Sequence, residues 1–115
     1  MIAELTTIFT FYVFRSYLYS NQKMSLFCVS YQFKAQVNSD LQELRDSHQS
    51  YISKHVNKIV FGGVKLDLEN KIAGILIVIN VVDIEDARRF IYDDPYYVLT
   101  ASYDINFFEQ KIPQI

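Results

Sequence analysis

The sequence predicts a single α+β domain of element order β-α-β-β-α-β, with its strands in one four-stranded antiparallel sheet. Three observations carry that expectation. Ser25–Phe33 and Ile72–Val82 are runs of β-formers, the second of them rich in β-branched residues. Apolar residues between Leu41 and Ile59 keep helical spacing. Pro95 cuts a second helical pattern short, just before a segment of strict alternation. The chain has 115 residues, 50% of them hydrophobic, with nine Tyr and nine Phe, which suffices for one core but not for two.

The elements follow in order. SLFCVSYQF, Ser25 to Phe33, is the first strand. The polar stretch Val37-Asn38-Ser39-Asp40 supplies N-cap candidates for a helix. That helix turns Leu41, Leu44, His48, Tyr51, Ile52, His55 and Val56 inward and is expected to end near Asn57. Lys58 to Leu66 is a short strand interrupted by Gly62-Gly63, and DLENK makes a polar turn. The run from Ile72 to Val82 reads as a central strand. Asp83 and Asp86 resemble a capping box, opening a helix with Ile84, Ala87, Phe90 and Ile91 inward. Tyr103, Ile105 and Phe107 alternate with Asp104 and Asn106 in the last strand. Right-handed crossovers then put both helices on one face of the sheet, the ferredoxin-like arrangement. The other face is left open, and a homodimer through it is the expected way to cover it.

The N-terminal run Thr6–Phe14 is apolar but stands between Glu4 and Arg15, far short of the roughly 20 residues a membrane span needs. It lacks the basic start and cleavage site of a secretory signal. Residues 1–23 are expected to be an accessory extension or the product of an upstream start, with the domain proper over 24–115, after Met24.

Net charge is −2, which argues against nucleic acid as a partner. Nor does IAGILIVINV carry the basic and aromatic residues that an RNA-binding sheet displays. Cys28 is the single cysteine and is expected to fill a core position in the first strand, in a protein of the reducing cytoplasm. The sequence has no zinc-type Cys/His spacing, no phosphate loop and no nucleophile elbow, so no metal and no cofactor is expected.

Two residues break the apolar pattern. His48 occupies a slot on the inward stripe of the first helix, four residues after Leu44 and four before Ile52. It is a core histidine satisfied by a hydrogen bond, or one at the edge of the core with its polar tip wet, or a titratable group beside a cleft. Asp94 falls on the inward side at the C-terminal end of the second helix, where the dipole disfavours an anion by about 0.3–1 kcal/mol. Either a cation meets it, with His48 and Arg45 as candidates, or it is a solvated turn residue bonding to nearby backbone ahead of Pro95. His55, near the helix end, is expected to help satisfy terminal carbonyls.

Arg45 and His48 on the first helix, the Gly62-Gly63 pair, and Asp94-Pro95-Tyr96 together resemble the YCII-related family over residues 25–112. The resemblance implies a domain of the dimeric α+β barrel type, dimerising through its sheet. It also implies a His–Asp pair, His48 and Asp94 here, facing a cleft proposed as an active site. Activities assigned in the family include elimination of halide from a hydroxylated aromatic ring. Two positions depart from the pattern: Asp46 stands where Pro is frequent, and Gly74-Ile75 stands where Gly-Ser is frequent.

On this reading Asp94 fixes the tautomer of His48, which then moves a proton on a small cyclic or aromatic molecule. Arg45 holds an anionic or phenolic oxygen, or else pairs with a surface carboxylate. Gly62 and Gly63 let backbone amides approach the ligand, or else mark a β-bulge. Tyr51, Tyr96 and Tyr97 wall the cleft or serve as core-edge aromatics. The alternative function is a non-catalytic dimeric module that binds a small molecule or a protein, the pair serving to tie the helices together.

Overall fold

The computed structural model describes residues 23–113, so the extension expected over residues 1–23 lies, but for Lys23, outside the described residues. The elements are β1 (Ser25–Phe33), α1 (Asn38–Lys54), β2 (Ile59–Leu66), β3 (Ile72–Val81), α2 (Ile84–Tyr92) and β4 (Thr100–Phe107). Short 3-10 turns at Val56–Lys58 and Pro95–Leu99 lead into β2 and β4. The strands form one antiparallel sheet in the order β2-β3-β1-β4, as the ferredoxin-like reading requires.

Alternation along the two central strands builds the core. Phe27, Val29 and Tyr31 of β1 stand beside Ile79, Ile77 and Ile75 of β3, and all six are buried. Ala87, Phe90 and Ile91 of α2 and Leu41 of α1 join the same cluster, so both helices cover one face of the sheet. Asp83 accepts from the Asp86 N–H at 2.9 Å, giving α2 half of a capping box. Asp86 turns its own carboxylate to Arg89 instead, at 3.0 Å. Ile84, expected inward, is exposed because it precedes the first turn that meets the sheet.

Helix α1 departs further from expectation. Its N-cap is Val37, with no side-chain cap, and it ends at Lys54 rather than near Asn57. Leu41 is the only fully buried residue of α1, while Leu44, Tyr51 and Ile52 are half-buried and Val56 beyond it is exposed. The helix thus meets the sheet along a narrow seam, and its flank stands clear of the β2–β3 edge. That separation opens the cleft described below.

Three smaller expectations are also corrected. Cys28 belongs to β1 but lies half-buried on the face away from the helices, since it alternates with Phe27 and Val29. Burial pushes its thiol above the ordinary value, with nearby Lys65 acting in the opposite sense. The register of β2 shifts between Ile59 and Phe61 and again between Lys65 and Leu66, whereas Gly62 and Gly63 pair regularly with Ile77 and Leu76. His55 closes α1 through its backbone N–H, bonded to the Ile52 carbonyl, and its ring packs on Tyr51. No helix among the described residues is long and apolar enough to cross a membrane.

Gly74 is the glycine the sheet requires. A Cβ there would run into the Tyr31 carbonyl oxygen and come within 2.7 Å of Lys65 Cε, whereas one at Gly63 meets nothing within 4 Å. Gly74→Ala should therefore cost about 1–3 kcal/mol, because two backbone strands cannot part locally without losing their ladder. Gly63→Ala should change stability by no more than about 1 kcal/mol, in the favourable direction. Urea denaturation of the two variants checks both.

Candidate functional site

Asp94 is the one buried polar or charged residue among those described, with its carboxylate closed to solvent. A buried carboxylate is costly unless its lone pairs are met, and here three donors meet them. His48 Nδ1 lies 2.8 Å from Oδ1. The Tyr96 N–H donates to the same oxygen at 2.9 Å, and the Tyr31 hydroxyl donates to Oδ2 at 3.1 Å. Of the two expectations for Asp94, the meeting with His48 is found; the carboxylate also bonds to nearby backbone, at Tyr96, but sealed from solvent and not as a solvated turn residue.

The local fold explains the position. Pro95 holds Asp94 in an extended conformation, φ −70° and ψ 127°, which ends the helical path after Asp93. Asp94 then becomes the N-cap of the 3-10 turn Pro95–Leu99, with Pro in the first turn where it lacks no needed donor. The carboxylate thus faces free N–H groups of the following turn rather than only the negative end of α2.

His48 is held on two sides. Its ring stacks on Tyr96 with centroids 4.0 Å apart and planes 9° from parallel. Tyr96 is fixed in turn by a hydrogen bond from its hydroxyl to the Leu41 carbonyl at 3.1 Å. With Nδ1 committed to Asp94, the other ring nitrogen points away from the carboxylate. The His48 side chain keeps 14% of its surface exposed and lines a cleft of about 810 Å³.

The cleft lies between α1 and the β2–β3 side of the sheet. Arg45 lines it one helical turn before His48, and makes no ion pair among the described residues. Its charge reaches the Tyr96 phenol, where it opposes the rise caused by burial and by Asp94. Tyr96 therefore walls the cleft as expected.

The other predicted site residues lie elsewhere. Tyr51 faces away from the cleft, donating to the Phe90 carbonyl at 2.7 Å beside His55. Burial, then Asp93 and Asp94, raise its phenol above the ordinary range. It borders a smaller hollow of about 170 Å³ with His55, Lys58 and Asp93. Burial and then Lys58 lower the His55 imidazole below its usual value. Gly62 and Gly63 sit in β2 and do not line the cleft; Gly62 packs over Ile77. Tyr97 packs against Tyr92 at 5.1 Å and is also outside the cleft.

Sequence reasoning missed Tyr31 of β1. Its hydroxyl is the donor that completes Asp94, across 63 residues of chain, and no local pattern announces it.

No protein-family model and no curated protein sequence matches the chain. Among solved structures it is similar to 5-chloro-2-hydroxyhydroquinone dehydrochlorinase from Burkholderia phenoliruptrix AC1100, in complex with 2,5-dihydroxybenzoquinone. The TM-score is 0.71 at 15% identity, over 78% of this chain and 99% of that one. A NIPSNAP family protein from Agrobacterium tumefaciens str. C58 aligns with TM-score 0.50 at 10% identity, over 82% of this chain and 91% of that one. At these identities the likeness is one of fold, and it agrees with the ferredoxin-like sheet and its two helices.

Tyr31→Phe should lower stability at neutral pH by about 1–3 kcal/mol, since a buried carboxylate oxygen loses its donor. Burial first, and then Asp94, push the Tyr31 phenol well above its ordinary value. The folded chain therefore keeps a proton that the unfolded chain releases above pH of about 10, and stability present below that pH is lost as it rises. Urea midpoints measured between about pH 9.5 and 11.5 should fall less steeply for Tyr31→Phe than for the parent chain.

Proposed function

We propose that the protein is a small-molecule enzyme in which His48 performs general acid–base chemistry, held and oriented by Asp94, on a hydroxylated ring bound in the cleft. One observation carries this reading: an imidazole whose Nδ1 is tied to a sealed carboxylate while the ring itself lines a cleft. The fold likeness to a dehydrochlorinase that binds a dihydroxybenzoquinone supports elimination as the reaction class.

The chemistry follows from the geometry. Asp94 accepts from Nδ1–H, which leaves the lone pair of Nε2 on the cleft side as the base. Tyr96 below the ring and Asp94 beside it prevent the imidazole from turning, so its orientation is set before substrate arrives. In an elimination, Nε2 takes a proton from the substrate, and the electron pair left behind moves into the ring system. The carbon–halogen bond then breaks with its pair on the departing halide. The imidazolium afterwards returns its proton to water, so one hydrogen halide is lost and nothing is oxidised or reduced overall. Asp94 stabilises the imidazolium while it exists. Arg45 is assigned to the substrate oxygen on which negative charge grows, which its lack of an ion pair among the described residues allows.

We also propose a homodimer through the sheet face away from the helices, in a reducing cytoplasm. Leu26, Phe61 and Leu76 point to that face, and none of them is fully buried. Sedimentation at micromolar concentration should give twice the mass of one chain; a single-chain mass across that range removes the dimer.

The test of the reaction is chloride release from chlorinated di- and trihydroxybenzenes. His48→Asn keeps a donor toward Asp94 and should fold with nearly the parent's urea midpoint, yet lose turnover by about 10²–10⁴-fold. If His48→Asn instead costs about 1–3 kcal/mol of stability and the parent chain releases no chloride, the pair only ties the helices together.

A further inference from the structure

We propose that the ligand of this cleft is an elongated monoanion: an acidic oxygen on its ring is held by Arg45, and an apolar substituent lies along Val64 and Ile72. This deepens the reading above and rests on the cleft being the substrate site.

Charge sets the first requirement. Among the described residues Arg45 is the only Arg, Lys, Asp or Glu lining the cleft, so a single negative charge matches it and a second would have no such partner. Around Arg45 the helix presents neutral amides. Asn38, Gln42 and Gln49 recur with it at intervals of three and four, so the four share one face of α1. That stripe offers hydrogen bonds along one edge of a ligand and adds no further charge.

The facing wall has the opposite character. Val64 is 55% exposed and Ile72 40% exposed, yet both line the cleft. Two large aliphatic side chains left wet on one wall of a concave site, opposite an amide stripe, call for an apolar group on the ligand. Size points the same way. The cleft of about 810 Å³ stands near the upper end of the ~300–1,000 Å³ that hold drug-sized molecules, and a single substituted ring leaves much of it unfilled. A ring seated between His48 and Arg45, with an aliphatic or second-ring extension toward the strands, matches charge, wall chemistry and volume together.

The experiment is calorimetric titration of the full chain with benzoate and with 4-pentylbenzoate, which share one anionic ring and differ only in the tail. Each buried methylene is worth roughly fourfold in affinity, so the pentyl compound should bind at least about 30-fold more tightly. In the double variant Val64→Ser with Ile72→Ser, that preference should fall below about fivefold while benzoate affinity stays within about twofold. Arg45→Gln should weaken both compounds by about tenfold or more. Urea midpoints confirm that each variant is folded. Equal affinities for the two compounds overturn the proposal, as does a pentyl preference that survives the double variant or a benzoate affinity indifferent to Arg45→Gln. Tail-dependent binding without chloride release from any halogenated ring defeats the elimination chemistry alone. Chloride release from single-ring substrates with no preference for a tail defeats this inference alone.

Discussion

The burial of the Asp94 carboxylate is the constraint around which the rest is arranged. Its side chain is sealed from solvent, and a charge in that position is tolerated only where several donors converge on it. They come from three parts of the fold. Tyr31 reaches from near the C-terminal end of β1, the Tyr96 N–H from the turn that follows α2, and His48 from α1. Each partner fixes an element relative to the others, so the carboxylate acts as a joint between sheet, turn and helix. Breaking such a joint costs more than its net contribution, because the remaining groups stay buried and unpaired.

The same joint governs the chemistry available to the site. Among Asp94's partners the imidazole alone can both take and give a proton near neutral pH, and it also borders the cleft. The carboxylate is thereby kept away from substrate and from water, while its influence is passed outward through the ring. Tyr96 contributes twice, with its N–H to Asp94 and with its ring face under His48. A structural demand and a chemical opportunity are met by one set of contacts.

Helix α1 explains why there is a cleft at all. A helix of seventeen residues with only Leu41 fully buried does not settle into the sheet along its length. Its mixed composition is the cause. Asn38, Gln42, Arg45 and Gln49 flank the apolar stripe on one side, and pressing them onto Val64 and Ile75 would strip water from polar groups with no partners there. The helix is instead held where Tyr96 and His48 support it, and the amide-bearing flank faces the opening. Polar residues beside an apolar stripe thus set a separation between layers and leave a site in the gap.

Much of the framework was legible from local pattern. A run of β-formers located β1, the β-branched run located β3, period-two alternation located β4, and Asp83 and Pro95 bracketed α2, because these signals act within a few residues. His48 and Asp94 were legible as misfits, each a polar group on an apolar face. Spacing did not show their meeting, which only the family resemblance implied, since 46 residues separate them and the packing of α1 against the turn after α2 joins them. Spacing left Tyr51 as a cleft wall or a core-edge aromatic, and Gly62-Gly63 as a ligand approach or a bulge. Packing sent Tyr51 to the Phe90 carbonyl and put the register shifts of β2 on either side of the glycine pair, because helix rotation and strand register are fixed by contacts distant in sequence. The sequence by itself determined the elements and which residues could carry charge inward. Tertiary structure alone decided which of those residues share a partner and which reach solvent, because burial and hydrogen bonding across elements depend on the complete arrangement of helices on the sheet.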